Sequence, residues 1–137
     1  MPERSLAAKL KLRAGQRAAI VNPPESYRKE LGAIPAGVTF GGKLTGAYDW
    51  MQIFVKNQAE LGRLAPRALR AMRPGGILWL SFPKGASSIQ TDLTRDSGWD
   101  TLRRYELKWV TLVSVNQTWS AFAVRRYRHG EVRQSFR

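Results

Sequence analysis

Short apolar runs, punctuated by Gly, Pro and polar residues, alternate along this chain with stretches that are apolar at every third or fourth position. The two patterns together predict its elements. Residues 17–21 (Arg-Ala-Ala-Ile-Val) read as a short buried strand. Residues 49–55 (Asp-Trp-Met-Gln-Ile-Phe-Val) are nearly continuous in apolar character, which suggests an interior strand covered on both faces. Beyond it, Leu61, Leu64, Ala65, Ala68, Leu69 and Met72 fall on one helical face, with Asn57 and Glu60 as caps. Pro66 lies inside that pattern and predicts a kink or a second short helix, because proline lacks the amide and clashes with the preceding turn.

The remaining elements follow from turn and cap signals. Residues 5–12 predict a short opening helix ended at Ala14-Gly15. Asn22 is expected to cap a helix whose first position is Pro23, with Glu25 in its first turn and Gly32 as its stop. A brief extended piece, 38–40, precedes Gly41-Gly42, and Pro74-Gly75-Gly76 introduces a strand over 77–82. Residues 91–105 predict a helix interrupted at Gly98, with Ser97 and Asp100 available as a fresh cap. Two β-type runs, 108–115 and 119–127, flank Asn116-Gln117-Thr118 as an antiparallel hairpin. Strands alternating with helices and a hairpin at the end indicate a single three-layer Rossmann-like α/β domain over residues 1–127. Its sheet is mostly parallel with about five or six strands, and a basic tail follows over 128–137.

Composition narrows the chemistry. The chain has 137 residues, room for one domain with one core. It has no cysteine, which excludes disulfides, thiol nucleophiles and cysteine-ligated metals. No signal-peptide pattern and no apolar run near membrane-spanning length is visible, so the expected location is cytoplasmic, away from membranes. The net charge is +13 and is spread: twelve basic and five acidic residues up to Arg70, eleven and five after it. Such a balance favours nucleic acid or another polyanion as partner. Sixteen of the basic residues are Arg and seven are Lys, which equally fits a compositional bias without function.

The order of strands and helices, with Tyr48-Asp49-Trp50 opening one strand and 68–78 (Ala-Leu-Arg-Ala-Met-Arg-Pro-Gly-Gly-Ile-Leu) running from helix through turn into strand, resembles the class I S-adenosylmethionine-dependent methyltransferase fold. As a whole the chain is similar to a short, uncharacterised bacterial domain-of-unknown-function group related to that fold. Phe82-Pro83-Lys84, Thr91-Asp92-Leu93 and Arg95-Asp96 are its most distinctive segments. The resemblance implies a methyl-donor site behind the first strand, built on a Gly-rich loop and an acidic residue after the second strand. Here the loop reads Asn22-Pro23-Pro24-Glu25-Ser26, and the second strand leads to Lys43. Two prolines remove two amide donors, and a lysine would meet the ribose hydroxyls. Both departures speak against S-adenosylmethionine.

Candidate chemistry gathers at the expected carboxyl ends of the strands, where open α/β sheets place ligands. The loop Lys84-Gly85-Ala86-Ser87-Ser88 offers a charge, a free backbone and two hydroxyls for an anion, or simply feeds the next helix. The expected cleft is lined by Asn22, Lys56, Asn57, Lys84, Ser87, Ser88, Thr91 and Asp92. Arg63, Arg67 and Arg70 form a stripe opposite the apolar face of their helix, able to track phosphates or merely to be solvated. Asp92, Asp96 and Asp100 recur at helical spacing, but Arg95, Arg103 and Arg104 among them can satisfy the charge, so no metal site is expected. His129, between Arg128 and Gly130, reads as solvated, and no catalytic residue is assigned. Trp50 and Trp79 belong to the core, while Trp119 opens a strand.

Three functional classes remain. The first is a noncatalytic methyltransferase-like domain that lost its donor loop and binds an anionic ligand or nucleic acid. The second is a divergent S-adenosylmethionine-dependent methyltransferase with Asn57 or Asp92 near the reacting centre. The third is an oligomeric assembly subunit, its tail and hairpin edge pairing with another chain, a homo-oligomer being one such assembly.

Overall fold

The computed structural model describes residues 5–134; residues 1–4 and the last three residues of the basic tail lie outside the described residues. Chain order is α1 (Leu6–Lys9), β1 (Arg17–Val21), α2 (Tyr27–Glu30), β2 (Thr39–Phe40), β3 (Tyr48–Phe54), α3 (Gln58–Ala71), β4 (Met72–Pro83), a 3-10 helix (Asp100–Tyr105), β5 (Leu107–Ser114) and β6 (Trp119–Arg126). All six strands form one sheet in the order β2-β1-β3-β4-β6-β5. The first four run parallel, β6 runs antiparallel to β4, and β5 closes the edge antiparallel to β6. This is the Rossmann-like α/β arrangement that the pattern predicts, with its terminal hairpin.

The sheet is covered on both faces because its central strands alternate between two cores. Met51, Ile53 and Val55 point with Leu78 and Leu80 toward α3, which buries Leu61, Leu64, Ala65, Ala68 and Leu69 against them. Trp50, Phe54 and Trp79 point the other way, toward Ala7 and Leu10 at α1 and Tyr27 and Leu31 at α2. Each fully buried leucine contributes roughly 1.5–3 kcal/mol relative to exposure. Under that second face runs a buried polar chain. The Tyr27 hydroxyl donates to Gln52 Oε1 at 2.8 Å, and Gln52 Nε2 donates to Ser81 Oγ at 2.9 Å. Burial pushes the Tyr27 phenol well above its ordinary range.

Four expectations are corrected. Asn22 does not cap a helix: it adopts φ +59°, and its side chain donates to Phe54 O at 3.0 Å. α2 starts only at Tyr27, because a residue that precedes proline is pushed out of the helical region, and this applies to both Asn22 and Pro23. Pro66 does not start a second helix, since the apolar stripe on both sides of it holds one continuous fourteen-residue α3 on the sheet. β4 begins at Met72 rather than residue 77. Pairing moves from Tyr48↔Met72 to Trp50↔Ile77 across an irregularity that Gly75, at φ +84°, and Gly76 accommodate; a Cβ on Gly76 would lie 2.9 Å from Tyr48 O.

The fourth correction concerns 91–99, which is loop, with only the 3-10 helix following. Thr91 Oγ1 accepts from Leu93 N, and Thr94 Oγ1 from Asp96 N and Ser97 N, so local side-chain turns displace the helix. Asp92, Asp96 and Asp100 therefore do not share a helix face. Asp96 pairs with Arg95 at 3.3 Å and Asp100 with Arg103 at 3.2 Å.

Residues following β6 fold back on the hairpin. Glu131 accepts from Arg125 at 2.8 and 2.9 Å, from Lys108 Nζ at 2.7 Å and from Arg128 N at 2.8 Å. Gln134 brackets the Trp109 peptide, accepting from its N–H at 2.9 Å and donating to its carbonyl at 3.0 Å. A side-chain amide thus occupies backbone groups that the edge strand β5 would otherwise offer to another strand. Among the described residues no helix is long and apolar enough to cross a membrane.

Candidate functional site

Two openings lie along the carboxyl edge of the parallel strands. The first, about 290 Å³, sits behind β1 and β2 and is bounded by Val21, Asn22, Gly41, Gly42, Lys43, Leu44 and, from α3, Leu64 and Arg67. The second is a wider cleft of about 650 Å³ behind β3 and β4, whose polar lining is Asn57, Ser87, Ser88, Gln90, Thr91, Asp92 and Thr94, with Gly85, Ile89 and Leu93 beside them. The wall between them is local. Asn22 follows β1, and its carboxamide reaches across to the carbonyl of Phe54, the last residue of β3, just ahead of the turn into α3.

The start of α3 fixes the second cleft. Asn57 Oδ1 accepts from Glu60 N at 2.9 Å as the expected cap, while Glu60 returns a carboxylate oxygen to Lys56 N at 2.6 Å. Asp92 arrives from the loop after β4, and its Oδ1 accepts from Gln58 N at 2.8 Å. One helix end is therefore held by an Asn and an Asp from separate segments. Asn57 Nδ2 and Asp92 Oδ2 have no protein partner among the described residues.

The eight residues expected to line one cleft are divided by the fold. Asn57, Ser87, Ser88, Thr91 and Asp92 come together in the polar cleft. Asn22 belongs to the first opening instead. Lys56 is exposed beside the α3 cap, and Lys84 turns to the hairpin, donating to Ser114 Oγ at 2.6 Å. Arg63, Arg67 and Arg70 are all exposed on α3; Arg63 lies 3.8 Å from Glu60, while Arg67 and Arg70 have no partner among the described residues. His129 is exposed, and among the described residues no group of His, Asp and Glu could hold a metal.

A third opening, about 580 Å³, was not visible in the sequence. Trp99, Trp109 and Phe122 meet edge to face, with ring centroids 5.0 to 5.6 Å apart, beneath Arg95, Asp96, Asp100 and Arg103. Its parts come from a loop and two strands, so no local spacing announces it. The first opening was also missed, although its signal was present: Gly41, Gly42 and Lys43 stand together directly after β2.

No family profile matches the sequence, and no curated protein is similar to it. Solved structures are similar in fold. A "possible exported protein" of Bordetella parapertussis superposes with TM-score 0.59 at 16% identity, covering 88% of this chain and 65% of that one. Phosphoethanolamine N-methyltransferase 2 of Haemonchus contortus, in complex with S-adenosylmethionine, gives 0.58 at 14% identity, covering 96% and 40%. The DhpI complex with S-adenosylhomocysteine gives 0.59 at 9% identity, covering 88% and 82%. The chain thus spans about two-thirds and two-fifths of the length of the first two. At these identities the likeness establishes the fold alone, a Rossmann-like, methyltransferase-like α/β arrangement.

Proposed function

We propose that the chain is a divergent S-adenosylmethionine-dependent methyltransferase, with the donor in the opening behind β1 and β2 and the acceptor in the polar cleft behind β3 and β4. The observation that carries this reading is the opening itself, which lies beside Asn22 at the end of β1 although Pro23 and Pro24 withhold two amide donors there. Structures of the same fold carry S-adenosylmethionine or S-adenosylhomocysteine. Val21, Leu44 and Leu64 offer apolar walls suited to a purine, and Gly41 and Gly42 keep side chains away from the edge of β2. Lys43 donates toward ribose oxygens where a carboxylate would accept from them.

When bound, S-adenosylmethionine supplies an electrophilic methyl group. The chain's own contribution lies at the cap of α3. Asn57 keeps a carboxamide N–H to orient an acceptor, and Asp92 keeps one carboxylate oxygen to take the proton an attacking N–H or O–H releases. The hydroxyls of Ser87, Ser88 and Thr91 supply further hydrogen bonds in the same cleft.

A second reading is favoured by one feature, the absence of amide donors at Pro23 and Pro24: a noncatalytic domain that binds an anion on its basic surface. Thermal unfolding with S-adenosylmethionine and S-adenosylhomocysteine separates the two. A donor site half-saturated near 10 μM raises stability by about 2.7 kcal/mol at 1 mM, a rise of roughly 5–15 °C for a domain of this size. No response to either nucleoside at that concentration returns the chain to the noncatalytic reading.

A further inference from the structure

The solvent face of α3 is built differently from an ordinary polar helix face. Its exposed positions are Gln58, Ala59, Gly62, Arg63, Arg67 and Arg70, with half-buried Pro66 between Arg63 and the last two arginines. Beyond Gln58 in the first turn, only guanidinium groups rise from a floor of small residues, and a Cβ on Gly62 would meet nothing within 4 Å. The helix carries a single carboxylate, Glu60, and that group is already engaged by Lys56 N and Arg63. Among the described residues Arg67 and Arg70 have no carboxylate partner. Arg67 also forms part of the first opening, together with Lys43, and among the described residues no carboxylate borders that opening.

We infer that a single strand of nucleic acid lies along α3, its phosphates on Arg63, Arg67 and Arg70, and feeds an unpaired nucleotide toward the carboxyl edge of the sheet. This rests on the transferase reading for its purpose but not for its binding. The arginines span seven residues, about 10 Å of helix. That length lets the three guanidinium groups meet consecutive phosphates of one extended strand. The small residues between them let a backbone approach closely, and guanidinium forks suit phosphate oxygens. A base presented to a cleft for chemistry must be out of its stack, which favours single strands over duplex.

Fluorescence anisotropy with a labelled 20-nucleotide single-stranded RNA, across a salt series, tests the assignment. Binding should weaken with salt, and Arg67→Ala/Arg70→Ala should make the log–log slope shallower by about 1.4, two phosphate contacts at roughly 0.7 each. Lys29→Ala, on the opposite layer, should leave the slope close to wild type. Three results overturn the inference: no RNA binding, an arginine double variant that matches wild type, or equal affinity for a duplex of the same length. The response to S-adenosylmethionine, followed by thermal unfolding of Arg70→Ala, is read separately. RNA binding without a nucleoside response sinks the transferase reading alone, and the reverse sinks only the track on α3.

Discussion

Trp50 and Trp79, on neighbouring strands, direct both indole N–H groups at one acceptor, the carbonyl oxygen of Leu10, at 2.8 and 2.7 Å. Leu10 ends the one-turn helix α1, whose last carbonyls have no helical partner. The two buried rings satisfy themselves and anchor α1 to the sheet at the same point.

A shared acceptor makes the two tryptophans interdependent. Trp50→Phe and Trp79→Phe should each cost about 1–3 kcal/mol in urea unfolding, through lost volume and one lost hydrogen bond. The double variant should depart from their sum by at least about 0.5 kcal/mol, because only then does Leu10 O lose both donors. Strict additivity would contradict a common acceptor.

The chain Tyr27–Gln52–Ser81 predicts an asymmetric mutational response. Gln52→Leu leaves two buried hydroxyls unpaired and should cost about 1–3 kcal/mol for each. Adding Tyr27→Phe and Ser81→Ala removes the orphans and should restore much of the loss. A triple variant no better than Gln52→Leu alone would show that packing, not polar satisfaction, governs the site.

Asn57 serves the fold as well as the proposed chemistry. Asn57→Ala should cost about 1 kcal/mol by removing the α3 cap, and Asn57→Asp should recover it. If Asn57 also orients an acceptor N–H or O–H, Asn57→Asp will restore the melting temperature without restoring methyl transfer. Recovery of both, in a transfer assay with the acceptor once found, would leave Asn57 a cap and nothing more.

Acid should release the segment behind β6. Arg125, the backbone N–H of Arg128 and Lys108 together hold the Glu131 carboxyl well below its ordinary range. A depressed carboxyl pKa stabilises the fold in full above the unfolded value, near 4.5, and that contribution is lost as pH falls below it toward the folded value. NMR shifts of the Trp109 amide and the Gln134 side chain, followed from pH 7 to 3, should move together in that window. Glu131→Gln should show the released spectrum already at pH 7. Coincidence of the change with global unfolding would exclude a separate release.

The sequence by itself determined the strands and the main helix. Residues 17–21 are β1 as predicted, the apolar run 49–55 is within one residue of β3, and the apolar stripe from Leu61 with its Asn57 cap is α3, because period and cap chemistry are local properties. It also carried the Rossmann-like class, since alternating elements and a final hairpin leave few topologies. Local rules failed where two of them competed: prolines against a cap at Asn22, and threonine turns against a helix over 91–99. Tertiary structure alone decided how the site residues divide. Asn22 and Lys43 meet Arg67 across β1 and β2, while Asn57 meets Asp92 across the α3 cap, since parallel strands bring distant carboxyl ends side by side and neither spacing nor composition encodes which ends become neighbours.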